Sequence, residues 1–313
     1  MTELVSVVVP AFNAARWIRE TLSSVVNQTW TNLEIVVVDD GSDDATGAMT
    51  SSFADPRIRL VTQENRGAGA ARNRGIRETR GDLVQFLDAD DILSPDKIER
   101  QVEALRNAGS GSIASCAWTR FSGNTGTARV TPEAVWAIAD PVEWLVTSLS
   151  GGGMMQPGAW LTPRNLIEAA GPWNEQLTLH DDGEFFCRVL VAAAQNVFVP
   201  GITAFYRDVE GSLSRRRSRA AIESAFAVCR LRSAHLLAAR DDRQTRRAAA
   251  TQYAQFSYEF ARVAPDLAAQ AIDEIGRLGV QPARTVGGPA FRISSALLGF
   301  EKAVRLRSRT SEQ

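Results

Sequence analysis

The sequence predicts an α/β protein: a mostly parallel sheet with helices on both faces, followed by an all-helical C-terminal extension. Three observations carry this expectation. Short apolar runs alternate with stretches of helical period through the first hundred residues, and strands apolar at nearly every position suit a sheet covered on both faces. Several of these runs end abruptly in polar or turn-forming residues. After about Arg215 the strand pattern stops and only helical spacing remains.

The elements follow in order. Val5 to Val9 is a valine-rich strand closed by Pro10. Ile18, Leu22, Val25 and Val26 then recur at helical spacing. Leu33 to Val38 is a second buried strand that runs into Asp39-Asp40-Gly41-Ser42, and Ile58 to Val61 is a shorter third. Ala68 to Arg77 reads as a helix and Leu83 to Leu87 as a fourth strand. Ser94 is placed to cap a helix with Pro95 at its first position and Ile98, Val102 and Leu105 on one face. Alternation of this kind gives a parallel sheet.

The middle, about Gly109 to Gly158, is less regular. Gly109-Ser110-Gly111-Ser112 and Gly151-Gly152-Gly153 read as flexible loops. The triple glycine lacks the spacing of a phosphate loop, so a lid or linker is expected. Thr162-Pro163 starts a short helix through Leu166 and Ile167 that stops at Gly171. An acidic cluster, His180-Asp181-Asp182-Gly183-Glu184, leads into an apolar stretch, and acids suit a helix's first turn. In the tail, Ile222, Phe226 and Cys229 form one helical stripe, Tyr253, Phe256 and Phe260 a second, and Leu267, Ala271, Ile275 and Leu278 a third. Phe291 to Arg309 mixes apolar residues with Arg292, Lys302, Arg305, Arg307 and Arg309. Such a basic amphipathic helix either lies on an anionic membrane or packs on its own domain.

Composition sets the class. The 313 residues are 44% hydrophobic and 23% charged, as in a globular protein with a real core. The formal net charge of −1 hides an asymmetry, because residues 216–313 carry 17 basic and 9 acidic side chains. Cys116, Cys187 and Cys229 are far apart and odd in number, which implies neither a disulfide framework nor a metal site and fits a reducing cytosol. No apolar stretch reaches the ~20 residues a bilayer demands, and no export signal is expected.

The chemistry concentrates where the fourth strand ends. Phe86-Leu87 drives into Asp88-Ala89-Asp90-Asp91, and carboxylates gathered there are costly without a positive charge nearby. A hard divalent cation, Mn²⁺ or Mg²⁺, fits oxygen ligands of this kind and keeps positions open for phosphate. A solvated turn is the plainer account of these acids taken alone. In parallel sheets, however, ligands bind beyond the strands' carboxyl ends, and Pro10-Ala11-Phe12-Asn13, Asp39-Asp40 and Asp88-Ala89-Asp90 all fall there.

Five motifs in order complete the pattern: Val7-Val8-Val9-Pro10-Ala11-Phe12-Asn13, Val37-Val38-Asp39-Asp40-Gly41-Ser42, Glu64-Asn65-Arg66-Gly67 with Ala71-Arg72-Asn73-Arg74-Gly75, Phe86-Leu87-Asp88-Ala89-Asp90-Asp91, and His180-Asp181-Asp182-Gly183-Glu184-Phe185. Together they resemble the family 2 glycosyltransferases, which have the A-type, Rossmann-like nucleotide-sugar-binding fold. The match covers roughly residues 4 to 215. It implies a catalytic domain over 1–215, with a nucleotide-binding half (1–108) and an acceptor-side half (109–215), before a helical region at 216–313 with a basic amphipathic end.

The resemblance implies an inverting, metal-dependent transferase with a nucleotide-diphospho-sugar donor, usually UDP-linked, and a glycan, polysaccharide or lipid-linked acceptor. By that likeness Pro10, Ala11, Phe12 and Asn13 lie against the nucleoside, Asp39 binds the base, and Arg72 holds the base or its phosphates. Asp88, with Ala89 beside it, faces the ribose and metal region; Asp90 ligates the Mn²⁺ or Mg²⁺; Asp182 is the catalytic base. Asp181 and Glu184 are expected to raise the pKa of Asp182 by repulsion. Trp160 and Asp181 are candidates for the acceptor side, and Trp17 and Trp118 read as core. The protein is expected in the cytoplasm, peripheral to the inner membrane face through its basic end, with no nucleic-acid partner.

Two departures stand out. Gly183 occupies a position where the family often has an aromatic residue. The loop after the last sheet strand, Tyr206 to Ser214, lacks the His that often joins the metal; Asp208 or Glu210 are the substitutes at hand. Two other readings compete. A nucleotidyltransferase would carry a glycine- and basic-rich loop after the first strand, which Pro10 to Arg16 lacks. A silent sugar-nucleotide-binding scaffold would have no need of both Asp90 and Asp182.

Overall fold

The computed structural model describes residues 3–209 and 217–309. Glu210 and the Arg309 side chain therefore lie outside what is described. The strands are β1 (Val5–Ala11), β2 (Leu33–Asp39), β3 (Ile58–Thr62), β4 (Leu83–Phe86), β5 (Ile92–Leu93), β6 (Ser112–Phe121), β7 (Thr162–Pro163) and β8 (Gln195–Arg207). The helices are α1 (Ile18–Val26), α2 (Thr46–Ser51), α3 (Ala68–Glu78), α4 (Lys97–Ala108), α5 (Pro141–Leu149), α6 (Arg164–Ala170), α7 (Asp181–Ala192), α8 (Arg219–Ala239), α9 (Arg243–Phe260), α10 (Pro265–Leu278), α11 (Pro289–Leu298) and α12 (Phe300–Arg309).

Two compact units share the chain. The first holds Met1–Pro141, Met154–Gln176 and Ala192–Ser212, and the second Val142–Gly153, Leu177–Val191 and Leu213–Gln313. The first contains a five-stranded sheet of order β3-β2-β1-β4-β7 and a three-stranded sheet of order β5-β8-β6. In the larger sheet β1, β2, β3 and β4 run parallel and β7 is antiparallel. Val7, Val8 and Val9 are all fully buried. Successive side chains of a strand point to opposite faces, so both faces of β1 are covered. Gly75 of α3 lets that helix close on β1, since a Cβ there would sit 2.3 Å from Val8 Cγ1.

The expected strands and helices of the first hundred residues are present, with one shift. The fourth helix starts at Lys97, not at Pro95. Ser94 is engaged elsewhere: its Oγ accepts from Thr203 N–H at 3.0 Å and its own N–H donates to the Thr203 carbonyl at 2.9 Å. The glycines at 109–112 are not a long flexible loop. Gly109 caps α4 with φ 86°, and Ser112 already opens β6. The triple glycine closes α5, with Gly151 N–H on Ser148 O and Gly152 N–H on Thr147 O, both at 2.8 Å. Those two donors are therefore unavailable to a phosphate.

The smaller sheet escaped the periodicity argument. β6 pairs in parallel with β8, but the register slips between Cys116, opposite Val199, and Ala117, opposite Thr203. Pro200, Gly201 and Ile202 bulge out of the ladder, with Gly201 at φ 77°. A Pro-Gly pair reads as a break, and here it sits inside one strand.

In the second unit the three predicted tail stripes meet in one core. Ile222, Phe226 and Cys229 from α8 pack with Tyr253, Phe256 and Phe260 from α9 and with Leu267 and Ala271 from α10. The Phe256 and Phe260 rings lie 4.8 Å apart between centroids. The single amphipathic helix expected at the end is two, broken at Gly299 with φ 84°. Part of it packs on its own unit, because Phe291, Ala303 and Val304 are buried with Ala254, Ala261 and Ala268. All three cysteines are buried free thiols, and burial pushes their pKa values up to about 11 for Cys116 and Cys187 and about 12 for Cys229. No helix among the described residues is long and apolar enough to cross a membrane.

Candidate functional site

Because β1, β2 and β4 are parallel, their carboxyl ends share one edge. Ala11 pairs with Asp39 across β1 and β2, and Leu87 N–H donates to Val8 O at 3.0 Å. Pro10 to Asn13, Asp39 and the segment Asp88–Asp91 are therefore brought together, as expected. The loops after β1 and β2 are knitted to each other. Ala14 N–H donates to Thr46 Oγ1 at 2.8 Å, Asn13 N–H to Ser42 Oγ at 3.0 Å, and Asp43 N–H to Asn13 Oδ1 at 3.0 Å. Asn13 takes φ 50° to do so, and an Asn tolerates that region better than most residues. Phe12 is left 50% exposed, an aromatic ring at a strand's carboxyl end.

The adjacent acids Asp39 and Asp40 do different things. Asp40 is held from both oxygens: Gln63 Nε2, Arg66 N–H and Gly67 N–H all donate to it at 2.7–2.9 Å, which fixes the entry to α3. Asp39 accepts only Ser42 N–H, at 2.9 Å on Oδ1. Its Oδ2 takes no protein donor among the described residues, and the missing side chain of Gly47 leaves space 3.1 Å from it. Asp39 is thus the member of the pair with capacity for a ligand.

Arg72, on α3, is only 4% exposed. Its Nη2 donates to Asp88 Oδ1 at 2.7 Å, and its guanidinium lies 4.4 Å from the Trp173 ring centroid. Asn73 positions that ring, donating to Trp173 O at 2.9 Å and accepting from Trp173 N–H at 2.8 Å. Trp173 was not singled out by any motif; a buried tryptophan a hundred residues away gives no local signal.

Asp88 to Asp91 form a tight turn, with Asp91 N–H on Asp88 O at 3.0 Å. Burial, then repulsion from Asp88, pushes the Asp90 carboxyl up to about 6. Asp91 is fully buried, and burial with repulsion from Asp90 and Asp88 raises it far above the usual carboxylate range. Its Oδ1 accepts Arg207 N–H at 2.9 Å, while its Oδ2 has no protein partner among the described residues. A site that presses carboxylates toward protonation favours added positive charge, so these residues fit a hard cation. No group of three or more His, Cys, Asp or Glu side chains forms a cage among the described residues, so the fit is for Asp90 and Asp88 with the remaining positions open.

Arg207 is the neighbour of this turn that sequence reasoning missed. It ends β8 in the loop where a histidine was sought. Its Nε donates to Asp90 O at 2.7 Å and its Nη2 to Glu20 Oε2 at 2.6 Å. The guanidinium sits 4.3 Å from the Trp17 ring centroid and 4.5 Å from that of Phe121. Trp17 is accordingly half-buried between Arg16 and Arg207, not core. Trp118 is also only half-buried, and its Nε1 donates to Met154 O at 3.0 Å. Trp160 is 1% exposed and belongs to the core, where its carbonyl accepts from Lys97 Nζ at 3.1 Å. A ring so covered presents no face to a sugar.

Asp181 and Asp182 open α7 and belong to the second unit. His180 precedes them at φ 60°, and its carbonyl accepts Gly183 N–H at 3.1 Å. A Cβ on Gly183 would meet Arg232 Nη1 at 3.4 Å, so an arginine borders the place where an aromatic was expected. Glu184 accepts from Arg188 at 2.7 and 2.8 Å and lies 3.2 Å from His235 Nε2. Burial works against its charge but is outweighed by these bonds, and its pKa is lowered. Its charge is locally compensated, which weakens its expected repulsion of Asp182.

Comparison with known proteins bears on the family and the fold. Residues 6–163 match the profile of Glycosyl transferase family 2. EpsH of Bacillus subtilis, named as a glycosyltransferase, is 32% identical over 243 residues, covering 75% of this chain and 70% of its own. The succinoglycan biosynthesis protein ExoO of Rhizobium meliloti is 43% identical over 107 residues, 34% of this chain and 31% of its own. The crystal structure of TarS 1-349 from S. aureus in complex with UDP-GlcNAc aligns over 99% of this chain and 92% of that one, with a TM-score of 0.74 and 18% identity. The strand-end motifs, the A-type fold and these relatives converge: the chain belongs to glycosyl transferase family 2.

Proposed function

We propose that the protein is an inverting transferase that moves a sugar from a nucleotide-diphospho-sugar, most simply a UDP-sugar, to a hydroxyl of a glycan, polysaccharide or lipid-linked acceptor. The carrying observation is the shared carboxyl edge that holds both Asp39, with its open oxygen, and the anchored Asp88–Asp91 turn, with the end of β1 between them. That TarS was crystallised with UDP-GlcNAc supports the choice of donor. Its likeness to this chain is one of fold.

In this reading Phe12 and the Pro10–Asn13 loop, with Ala11 at its base, pack on the nucleoside. Asp39 accepts from the base, and Arg72, stiffened by Trp173 and Asp88, faces the ribose and phosphate side. Asp88 and Asp90, with Ala89 between them, would hold Mn²⁺ or Mg²⁺. When bound, that ion stabilises the charge that builds on the departing diphosphate. Asp182 takes the proton from the acceptor hydroxyl as it attacks, with Asp181 on the acceptor side. Attack from the face opposite the leaving group inverts the anomeric centre. In the same reading the enzyme works in the cytoplasm, held peripherally at the inner membrane face by the basic, amphipathic end of its helical region.

The test separates binding from chemistry. Calorimetry with a UDP-sugar panel and Mn²⁺ is expected to give heat with wild type and with Asp182→Asn, and none with Asp90→Ala. Release of free UDP, with water taking the sugar, is expected from wild type, falling at least about a hundredfold in Asp182→Asn and vanishing in Asp90→Ala. A variant lacking Asp182 that turns over normally would remove it as the base.

A further inference from the structure

We propose that α11 and the arginine-lined recess beside it dock the protein on an anionic lipid bilayer. Most surface helices turn an apolar stripe inward and charge outward. α11 turns Phe291 inward, yet its outer face is apolar too. On the face turned away from Phe291, Ile293 is 63% exposed and Leu297 79%; Leu298, two turns on from Phe291 at the helix end, is still 47% exposed. Ile293 and Leu297 are one turn apart, and the exposed Ala290 and Ala296 share their face. Leu306 on α12 is another exposed leucine, at 50%. Single exposed apolar residues are ordinary; a run of them along one short helix marks an interaction surface.

Charge selects the occupant. Between Val280 and Arg309 the sequence has six basic residues and one acid, Glu301. Arg284 and Arg292 line a recess of about 540 Å³ with Thr285, Ser295 and Ala296. Arg292 is steadied by donating Nε to Gly287 O at 2.7 Å. Among the described residues neither Arg284, Arg292 nor Lys302 pairs with a carboxylate, whereas Arg219 on α8 pairs with Glu223 and Asp266 and Arg246 on α9 with Asp241. Unpaired guanidiniums around a concavity next to exposed leucines match a surface with phosphate headgroups above an acyl layer. A protein partner would have to supply acids and apolar residues in the same alternation.

The proposal rests on the peripheral-membrane part of the reading above and not on its chemistry. The experiment is vesicle co-sedimentation of the full chain without donor, on zwitterionic vesicles and on vesicles containing anionic lipid. Wild type is expected to bind the anionic vesicles and to release in high salt. Ile293→Ser/Leu297→Ser alters only exposed positions and is expected to lose binding while keeping its circular dichroism. Arg284→Ala/Arg292→Ala is expected to weaken binding roughly 10- to 30-fold. Wild type left in the supernatant, or equal binding by both variants, overturns the proposal. So does a wild-type dimer that the Ile293→Ser/Leu297→Ser variant breaks with no vesicle binding in either, which assigns the face to a second copy. Donor calorimetry on the same samples keeps the two failures apart, since it reads only the transferase site.

Discussion

Arg207 contacts the Asp90 carbonyl, the Glu20 carboxylate and two aromatic rings, and its backbone N–H meets Asp91. Glu20 is 54% exposed, so that ion pair contributes little. The bond to the Asp90 carbonyl comes from a buried charged donor and is the larger effect, about 1.5–3 kcal/mol. Arg207→Met is expected to lose that much in urea unfolding, and to weaken Mn²⁺-dependent donor binding at least about tenfold as the turn loosens. Calorimetry showing unchanged donor affinity would mean the turn holds itself. Lys97 offers a second test. Its side chain is fully buried, bonded to Gln85 and to Trp160 O, and burial lowers its pKa from 10.5 to about 7. The unfolded chain binds this proton more readily between those values, so stability rises with pH across that window. Relative to Lys97→Met, wild type is expected to gain up to about 1.4 kcal/mol per pH unit above pH 7 in denaturant titrations. A constant difference from pH 7 to pH 9 would contradict this.

Elements show where local pattern suffices and where it fails. β1, β2 and β4 were legible as short continuous apolar runs buried on both faces, and the three tail stripes because each buries a face of helical period against its neighbours. β6 and β8 were not, since Ser112, Ala114, Ser115 and Ala117 are poor strand signals and the Pro200–Ile202 bulge interrupts the other strand. The site divides the same way. Asp39 and Asp90 announce themselves at strand ends, whereas Arg207 reaches Asp90 across 117 positions and Trp173 reaches Asn73 across 100. Glycine also acts at this scale. A Cβ at Gly75 would sit 2.3 Å from Val8 Cγ1 and push α3 off β1. Gly75→Ala is expected to cost about 1–3 kcal/mol despite alanine's better helix propensity. An unchanged thermal midpoint would show that the α3–β1 contact has slack. Arg72 rides on the same helix, so donor affinity should fall with it.

At the scale of the whole molecule, the near-zero net charge conceals a division of labour that the chain order already shows. The acids at the strand ends lie in the first unit, and the excess of arginines lies in the last hundred residues. That asymmetry was readable at once. The membership of the second unit was not, because it takes Val142–Gly153 and Leu177–Val191 from within the family-like part of the chain. Segments recruited from afar carry no compositional mark. The break at Gly299 was likewise invisible in a pattern that stays amphipathic through it.

The three thiols bring a practical benefit. Cys116, Cys187 and Cys229 are enclosed and, with pKa values of about 11 to 12, remain protonated at neutral pH. Maleimides and spin labels need a reachable thiolate, so the native chain should stay silent toward them. A cysteine placed at Leu297 would then be the sole target, and its fluorophore or nitroxide would report depth and polarity at that one spot without any background to subtract.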